Sequence, residues 1–311
     1  MRTIKKVASH IFIDGFGGMT QGLFATLIIG TMIQQIGLLI GGSTGNVIYL
    51  LGKAAAALTS AGIGVGVAVK YGESPLVTVS AAVAAMVGGY AGKITGGTFF
   101  VDGNAVLAGP GEPLGAFIAA FAGITCGHLV SGKTKVDIIV TPVITIGAGS
   151  VVGLLVGPPI SQMMTGLGSI INWATEQRPF IMGIVVSVVM GMVLTLPISS
   201  AALGIILNLS GLAAGAATIG CCCNMVGFAV ASYRENKFGG LVAQGLGTSM
   251  LQVPNIMRHP LIWLPVIFSS AILGPVSTIL ANMQNNATGS GMGFRRSCRT
   301  DHNVSDDDHL R

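Results

Sequence analysis

Glu112 is the residue of this chain most clearly placed to do chemistry. It is a lone carboxylate in GPGEPLGAF (109–117), set between two prolines and three glycines in an otherwise apolar neighbourhood. An ionised group in such surroundings is costly unless it pairs, meets water or binds a ligand, and its natural use is to accept charge-assisted hydrogen bonds. The competing reading is that Glu112 caps backbone donors at the start of a helix opened by Pro113. Just upstream, Asp102 and Asn104 in VDGNA offer further acceptors and donors for hydroxyl groups, or else close an Asx-type turn. A second polar set lies in GGLVAQGLGTSMLQVPN (239–255). Gln244, Thr248, Ser249, Gln252 and Asn255 are uncharged groups suited to a polyol, and Gln252 and Asn255 share one side if their segment is helical.

Other reactive residue types carry less. His128, in GITCGHLVSGK, falls near the end of an apolar run. A phosphocarrier role would need an accessible imidazole and a second group, and no neighbour in sequence supplies one, so a helix-end histidine near headgroups is the simpler reading. Cys221, Cys222 and Cys223 are adjacent and cannot converge on one metal, and no CxxC pair exists, so the cysteines are expected to pack as small hydrophobes. Asn208 and Asn224 can bond between helices. Trp173, Tyr233 and Trp263 fall near run ends, where an interfacial aromatic belt is expected. No nucleotide-binding motif or metal-ligand cluster is present, and neither a cofactor nor a metal is expected. The basic residues are scattered without aromatic interleaving, which argues against nucleic acid as a partner.

The elements that must position these groups are membrane helices. The 311 residues are 51% hydrophobic and only 9% charged, against about 25% charged in soluble domains. Apolar runs near the roughly 20 residues needed to cross a bilayer recur along the chain. Spans are expected over 19–40, 46–69, 75–92, 113–131, 137–156, 178–197, 200–217, 218–232 and 260–283, giving an all-α, polytopic integral membrane protein in the lipid bilayer. Arg2, Lys5 and Lys6 precede an amphipathic, polar-broken stretch, so a cleaved signal peptide is not expected. The 47 glycines suit close helix packing.

Residues 96–113 and 239–255 are too broken and polar to span in lipid, and both read as re-entrant hairpins, because irregular backbone at membrane depth must be buried in protein or face water. The positive-inside rule puts the N-terminus, Lys70, Lys133, Lys135, Arg234 and Lys237 in the cytoplasm. The first hairpin then opens from outside and the second from inside, an inverted repeat with halves at about 1–156 and 157–293. LTSAGIGVGVA (58–68) and LNLSGLAAGAA (207–217) add a faint internal match built from common residues.

From Phe294 the composition changes to FRRSCRTDHNVSDDDHLR, with four of the sixteen basic and four of the eleven acidic residues. Residues 294–311 are either a disordered polar tail or a shifted reading frame. Back-translated and read one nucleotide later, the segment permits SGGLVGQI followed by an apolar run, the tenth span that a five-plus-five repeat requires.

The stretch 195–255, above all GLVAQGLGTSMLQVPN, together with the surroundings of Glu112, resembles the membrane IIC-type family of the bacterial phosphotransferase system that includes PfoR-type regulators. The resemblance covers most of residues 1–293. It implies a bacterial plasma-membrane subunit that binds a sugar or polyol, assembles as a homodimer, and relies on separate cytoplasmic IIB and IIA proteins for phosphorylation. GEP is similar to the TEP loop of glucose-type IIC proteins, whose glutamate binds the sugar, although the threonine is missing here. On this reading the substrate-binding set is Glu112, Asp102, Asn104, Gln244, Thr248, Ser249, Gln252 and Asn255, with no catalytic residue in the chain itself. Two other functions fit the same residues: a membrane regulator or sensor with a IIC-like fold, and an ion-coupled transporter that uses Glu112 as its coupling site.

Overall fold

The structure, a computed structural model, describes residues 14–101, 104–107, 109, 111–175, 177–196, 200, 209–285 and 290. Asp102, Asn208, the first thirteen residues and the 294–311 tail lie outside the described residues.

The chain is built from apolar helices with sharply marked ends. α1 (Phe16–Ile40) carries a π-helical turn at Phe24–Ile28. It is followed by α2 (Gly42–Ala57) and α3 (Thr59–Tyr71), which meet at Leu58 with a bend of 54°. Gly72, left-handed at φ 71°, terminates α3. Ser74 then caps α4 (Pro75–Gly89), its hydroxyl accepting from Val77 N at 3.4 Å, with Pro75 at the first helical position. The short α5 (Ala91–Thr95) leads into a two-stranded antiparallel ribbon, β1 (Phe100–Val101) and β2 (Asn104–Ala105). There follow α6 (Pro113–Val130), the 39-residue α7 (Asp137–Thr175), α8 (Pro179–Thr195), α9 (Gly211–Ala231), the exposed α10 (Tyr233–Val242), the short α11 (Val253–Arg258) and α12 (Pro260–Leu280).

By length and apolarity α1, α6, the first part of α7 (Asp137–Ile160), α9 and α12 can each cross a membrane, and the bent pair α2–α3 together makes a sixth candidate. The protein is therefore all-α and polytopic. The expected list of nine spans needs two corrections. The boundary expected between 217 and 218 falls inside α9, one uninterrupted 21-residue helix, so those two spans overlap in a single one. The span expected over 46–69 is broken at Leu58. In addition α4 and α8, at 15 and 17 residues, are short for a crossing and are held among other helices.

Packing is dominated by backbones in direct approach. A Cβ added to Gly18 would lie 2.6 Å from the Gly66 carbonyl oxygen, and one on Gly30 would lie 2.8 Å from that of Gly52. Gly22 faces Gly62 and Gly37 faces Gly45 in the same way, so α1 runs antiparallel along the whole α2–α3 pair on a seam of glycines. Gly88 and Gly115 join α4 to α6, and Gly123 and Gly149 join α6 to α7. The expected role of the glycines holds, and its reason is that lipid offers no hydrophobic drive for helix association, so close van der Waals contact must supply it.

Two cores result. Phe16, Met19, Ile63, Val67, Ala81, Ala116, Phe117 and Ile124 bring α1, α3, α4 and α6 together, with Met250 and Val253 added from the second glycine-rich stretch. Ile171, Met182, Val186, Met190, Ala214, Ala217, Cys221 and Met225 unite the end of α7 with α8 and α9. Contacts of Gly220 with Ser187 and of Thr195 with Asn224 show α8 and α9 running in the same direction, and Gly183 against Gly274 sets α12 antiparallel to them.

Placing Val at Gly18 is expected to cost about 1–3 kcal/mol through overpacking. Gly147→Ala, where an added Cβ meets open space, should be neutral or stabilising by up to about 1 kcal/mol. Thermal unfolding of both variants in one detergent checks the contrast.

Candidate functional site

Glu112 occupies the N-cap position of α6, in extended backbone, and its side chain makes no capping hydrogen bond, so the capping reading does not hold. The residue is half-buried and its Oε1 is enclosed by protein. Its position follows from the turn before it. Gly111 has φ +75°, and a Cβ there would lie 2.5 Å from Ser60 Oγ and 3.1 Å from the Gly89 carbonyl, so only glycine fits both the conformation and the space. The Glu112 N–H then donates to Gly89 O at 2.7 Å. Three backbone stretches converge here: the α2–α3 break with buried Ser60 just beyond it, the end of α4, and the loop entering α6. Tyr90 closes the set, its hydroxyl donating to Gly109 O and lying 3.4 Å from Ala57 O. Asn104 sits exposed in β2, opposite Val101.

In the second polar set Gln244, Thr248, Ser249 and Gln252 are buried and Asn255 is exposed, and the three amides are bonded in series. Gln244 Nε2 donates to Ser232 Oγ at 3.0 Å, Gln252 Nε2 to Gln244 Oε1 at 3.0 Å, and Asn255 Nδ2 to Gln252 Oε1 at 2.8 Å. This relay fastens the π-helical turn Ala243–Gly247 and the 3-10 turn Ser249–Gln252 to the end of α9. Thr248 caps the latter turn, its hydroxyl accepting from Met250 N at 3.2 Å. Ser249 Oγ lies 2.8 Å from Thr195 Oγ1, which donates to Asn224 Oδ1 at 3.1 Å. Asn224 also accepts from Trp263 Nε1 at 3.2 Å and donates to Ser270 Oγ at 3.2 Å. The expectation that Asn224 bonds between helices holds. Trp263 departs from the expected aromatic belt, because its indole N–H turns inward to that same amide, whereas Trp173 and Tyr233 are exposed.

Both stretches reach the α1–α3–α4–α6 core, and Gly247 of the second lies against Phe24 and Ile28 of α1. Glu112 stands where α4 ends and α3 and α6 begin, whereas the Ser249–Gln252 turn and α11 contact the Phe16–Leu23 end of α1, which packs along α3. A bridge between them exists: Leu114, the second residue of α6, packs with Leu196 against Ile160 and Val193, next to the Thr195 that holds Ser249. A cavity of about 230 Å³ lies elsewhere, between the π-helical turns of α1 and of the second stretch, lined by Gln21, Phe24, Ala243 and Leu251. Its lining is mainly apolar, unlike the groups around Glu112.

His128 has a neighbour that sequence could not supply. Its Nδ1 lies 3.0 Å from Glu73 Oε1, across 55 positions in the chain, and Ser74 Oγ meets Ser131 Oγ at 3.0 Å beside it. These contacts tie the α3–α4 turn to the end of α6. Ser60, Tyr90, Thr195, Ser232 and Ser270 were missed as site residues, because single hydroxyls in apolar runs carry no signal until helices bring them together. The prolines and glycines around Glu112 were the one legible signal. Among the described residues, no group of three or more His, Cys, Asp or Glu is placed to hold a metal.

Gln252→Leu removes the middle of the amide relay and leaves a buried acceptor on Gln244 and a donor on Asn255 without it, an expected cost of about 1–3 kcal/mol. Adding Gln244→Leu should cost less than the sum of the single changes, because both remove one shared bond. Chemical denaturation of the three variants in detergent gives the cycle.

Residues 13–295 match the family model described as phosphotransferase system, EIIC. Compared with curated proteins and with solved structures, the chain has no significant match. The matched stretch covers most of the chain and takes in both glycine-rich stretches, every described helix and Glu112. The chain belongs to the phosphotransferase system EIIC family and is a multi-pass membrane protein of the sugar-transport class.

Proposed function

We propose that this chain binds a sugar or polyol at Glu112 and passes it across the bacterial plasma membrane to a cytoplasmic IIB-type protein, itself supplied by IIA, which phosphorylates it. The observation that carries this reading is the placement of Glu112: a carboxylate at a helix N-terminus, uncommitted to capping, beside a broken span and backed by tightly packed backbone. Two carboxylate oxygens can accept from two vicinal hydroxyls, the arrangement a polyol presents, and a site shielded from water strengthens those bonds. The chain contributes binding and orientation; the phosphoryl group and its acceptor chemistry belong to the partners.

The transport step in this proposal uses halves of opposite hand, about 1–156 and 157–293, within a homodimer whose N-terminus is cytoplasmic. Support comes from the irregular backbone of both glycine-rich stretches being packed on one helix core, as the broken segments of repeat-built transporters are. In the same proposal Gln244, Thr248, Ser249, Gln252 and Asn255 serve the inward-facing side, where their bonds to one another are exchanged for bonds to the substrate's hydroxyls. Asp102 and Asn104 would serve the outer entrance.

Glu112→Gln fits the same volume but loses the charge, and hydrogen bonds to charged groups contribute about 1.5–3 kcal/mol. Affinity for the transported sugar is expected to fall about ten- to a hundredfold with thermal stability unchanged. The measurement is phosphoenolpyruvate-dependent formation of labelled sugar phosphate, from a panel of hexoses and hexitols, in vesicles supplied with candidate IIA and IIB proteins. Label accumulating unphosphorylated would indicate ion-coupled transport instead, and wild-type affinity in the variant would reject Glu112.

Single cysteines placed in 96–112 and in 239–255 should react with an impermeant maleimide from opposite faces of oriented vesicles. Labelling of both from one face would dispose of the inverted repeat.

A further inference from the structure

We infer that Tyr90 is the positioning residue for Glu112, fastening the loop before α6 to the break between α2 and α3; the inference rests on Glu112 being the ligand-binding group. Tyr90 is among the largest side chains fully enclosed by the fold, only 1% exposed. A buried phenol must place its O–H on an acceptor, and this one has two within reach. One is the Gly109 carbonyl, three residues before Glu112; the other is the carbonyl of Ala57, the last residue of α2, at 3.4 Å. Carbonyls at the end of a helix lose their own helical partners, and in an apolar surrounding they need another donor. The phenol has a single proton, directed at the nearer Gly109 carbonyl with the Ala57 carbonyl at the edge of its reach, so the loop and the end of α2 are held side by side at one hydroxyl.

The ring is fixed independently of the hydroxyl. Phe99 packs on it with centroids 5.4 Å apart, and Lys93 Nζ lies 5.4 Å from its centroid. Its own backbone continues from Gly89, the residue that accepts from the Glu112 N–H. Side chain and backbone of the 89–90 pair therefore grip both ends of the segment 109–112. Gly111, at φ +75°, gives that segment its turn but no side-chain contact of its own, so the position of the Glu112 backbone depends on the grip. Release of the hydroxyl lowers the fraction of molecules with Glu112 in place, and apparent affinity falls by that fraction while the chemistry of the bound state is unchanged.

Tyr90→Phe in the full chain, reconstituted in nanodiscs, tests this by hydrogen–deuterium exchange of peptides covering 104–112. Loss of one such bond should accelerate exchange there about five- to tenfold, with peptides from α6 and α7 unchanged. Phe99→Leu, which alters packing of the ring but keeps the hydroxyl, should accelerate it less than twofold. A chain carrying 3,5-difluorotyrosine at position 90, examined at pH 6, keeps shape and donor and should exchange no faster than wild type. In vesicle uptake of the labelled hexose and hexitol panel, Tyr90→Phe should raise KM about three- to tenfold and leave kcat within twofold. Unchanged exchange in Tyr90→Phe, acceleration in the difluorotyrosine chain, or a loss of kcat without a rise in KM overturns the inference. If wild type takes up no member of the panel, the transport reading fails, while the exchange measurements still decide whether Tyr90 fastens the loop.

Discussion

Backbone-to-backbone approach between helices is the constraint on which the other features rest. In lipid, helices gain little by hiding apolar surface from one another, so they associate where small residues let main chains touch. The seam that runs from Gly18 against Gly66 to Gly37 against Gly45 holds α1 along two helices that are themselves not collinear. A bend of 54° in a membrane span exposes carbonyls and amides that lipid cannot satisfy. The seam packs the helices on both sides of the bend against α1, while Leu58 at the bend itself is exposed and the Tyr90 hydroxyl lies 3.4 Å from the Ala57 carbonyl. The same kind of contact, Gly88 against Gly115, sets the height at which α6 begins and so the height of Glu112.

The two glycine-rich stretches solve the problem of irregular backbone in different ways. The first returns to its own starting point: Glu112 bonds to Gly89 and Tyr90 bonds to Gly109, so the loop is closed by the end of the helix it leaves. The second is held by side-chain amides passing hydrogen bonds from Ser232 through Gln244 and Gln252 to Asn255. Amide relays of this kind are directional, and each member depends on the next, which makes the stretch orderly when intact and costly to interrupt. In the proposed function, charge-assisted binding occurs once, at the carboxylate of the first stretch, and weaker bonds to the amides of the second accompany release.

His128 shows how tertiary structure changes the meaning of a residue. Along the chain it is a helix-end imidazole with nothing beside it; in the fold a carboxylate from the α3–α4 turn meets its Nδ1, and a serine pair stands next to it. Trp263 shows the reverse case. Its place at the end of a span agrees with a headgroup anchor, yet its N–H is spent on Asn224 inside the bundle.

Sequence by itself determined the class of protein, because composition and run length are local properties: a chain this apolar has to be helical in lipid, and prolines at 75, 113 and 179 mark helix starts wherever the helices end up. It also singled out Glu112, since a charge amid glycine and proline is anomalous without reference to neighbours. Only tertiary structure decided that 211–231 is one helix rather than parts of two, because an apolar run without a breaker can be divided anywhere until partners fix its length. Tertiary structure likewise decided which hydroxyls and amides matter. Ser60 and Tyr90 stand 52 and 22 positions before Glu112, and Thr195 stands 54 before Ser249; their roles are set by which helix faces meet, and that depends on every glycine contact in the bundle at once.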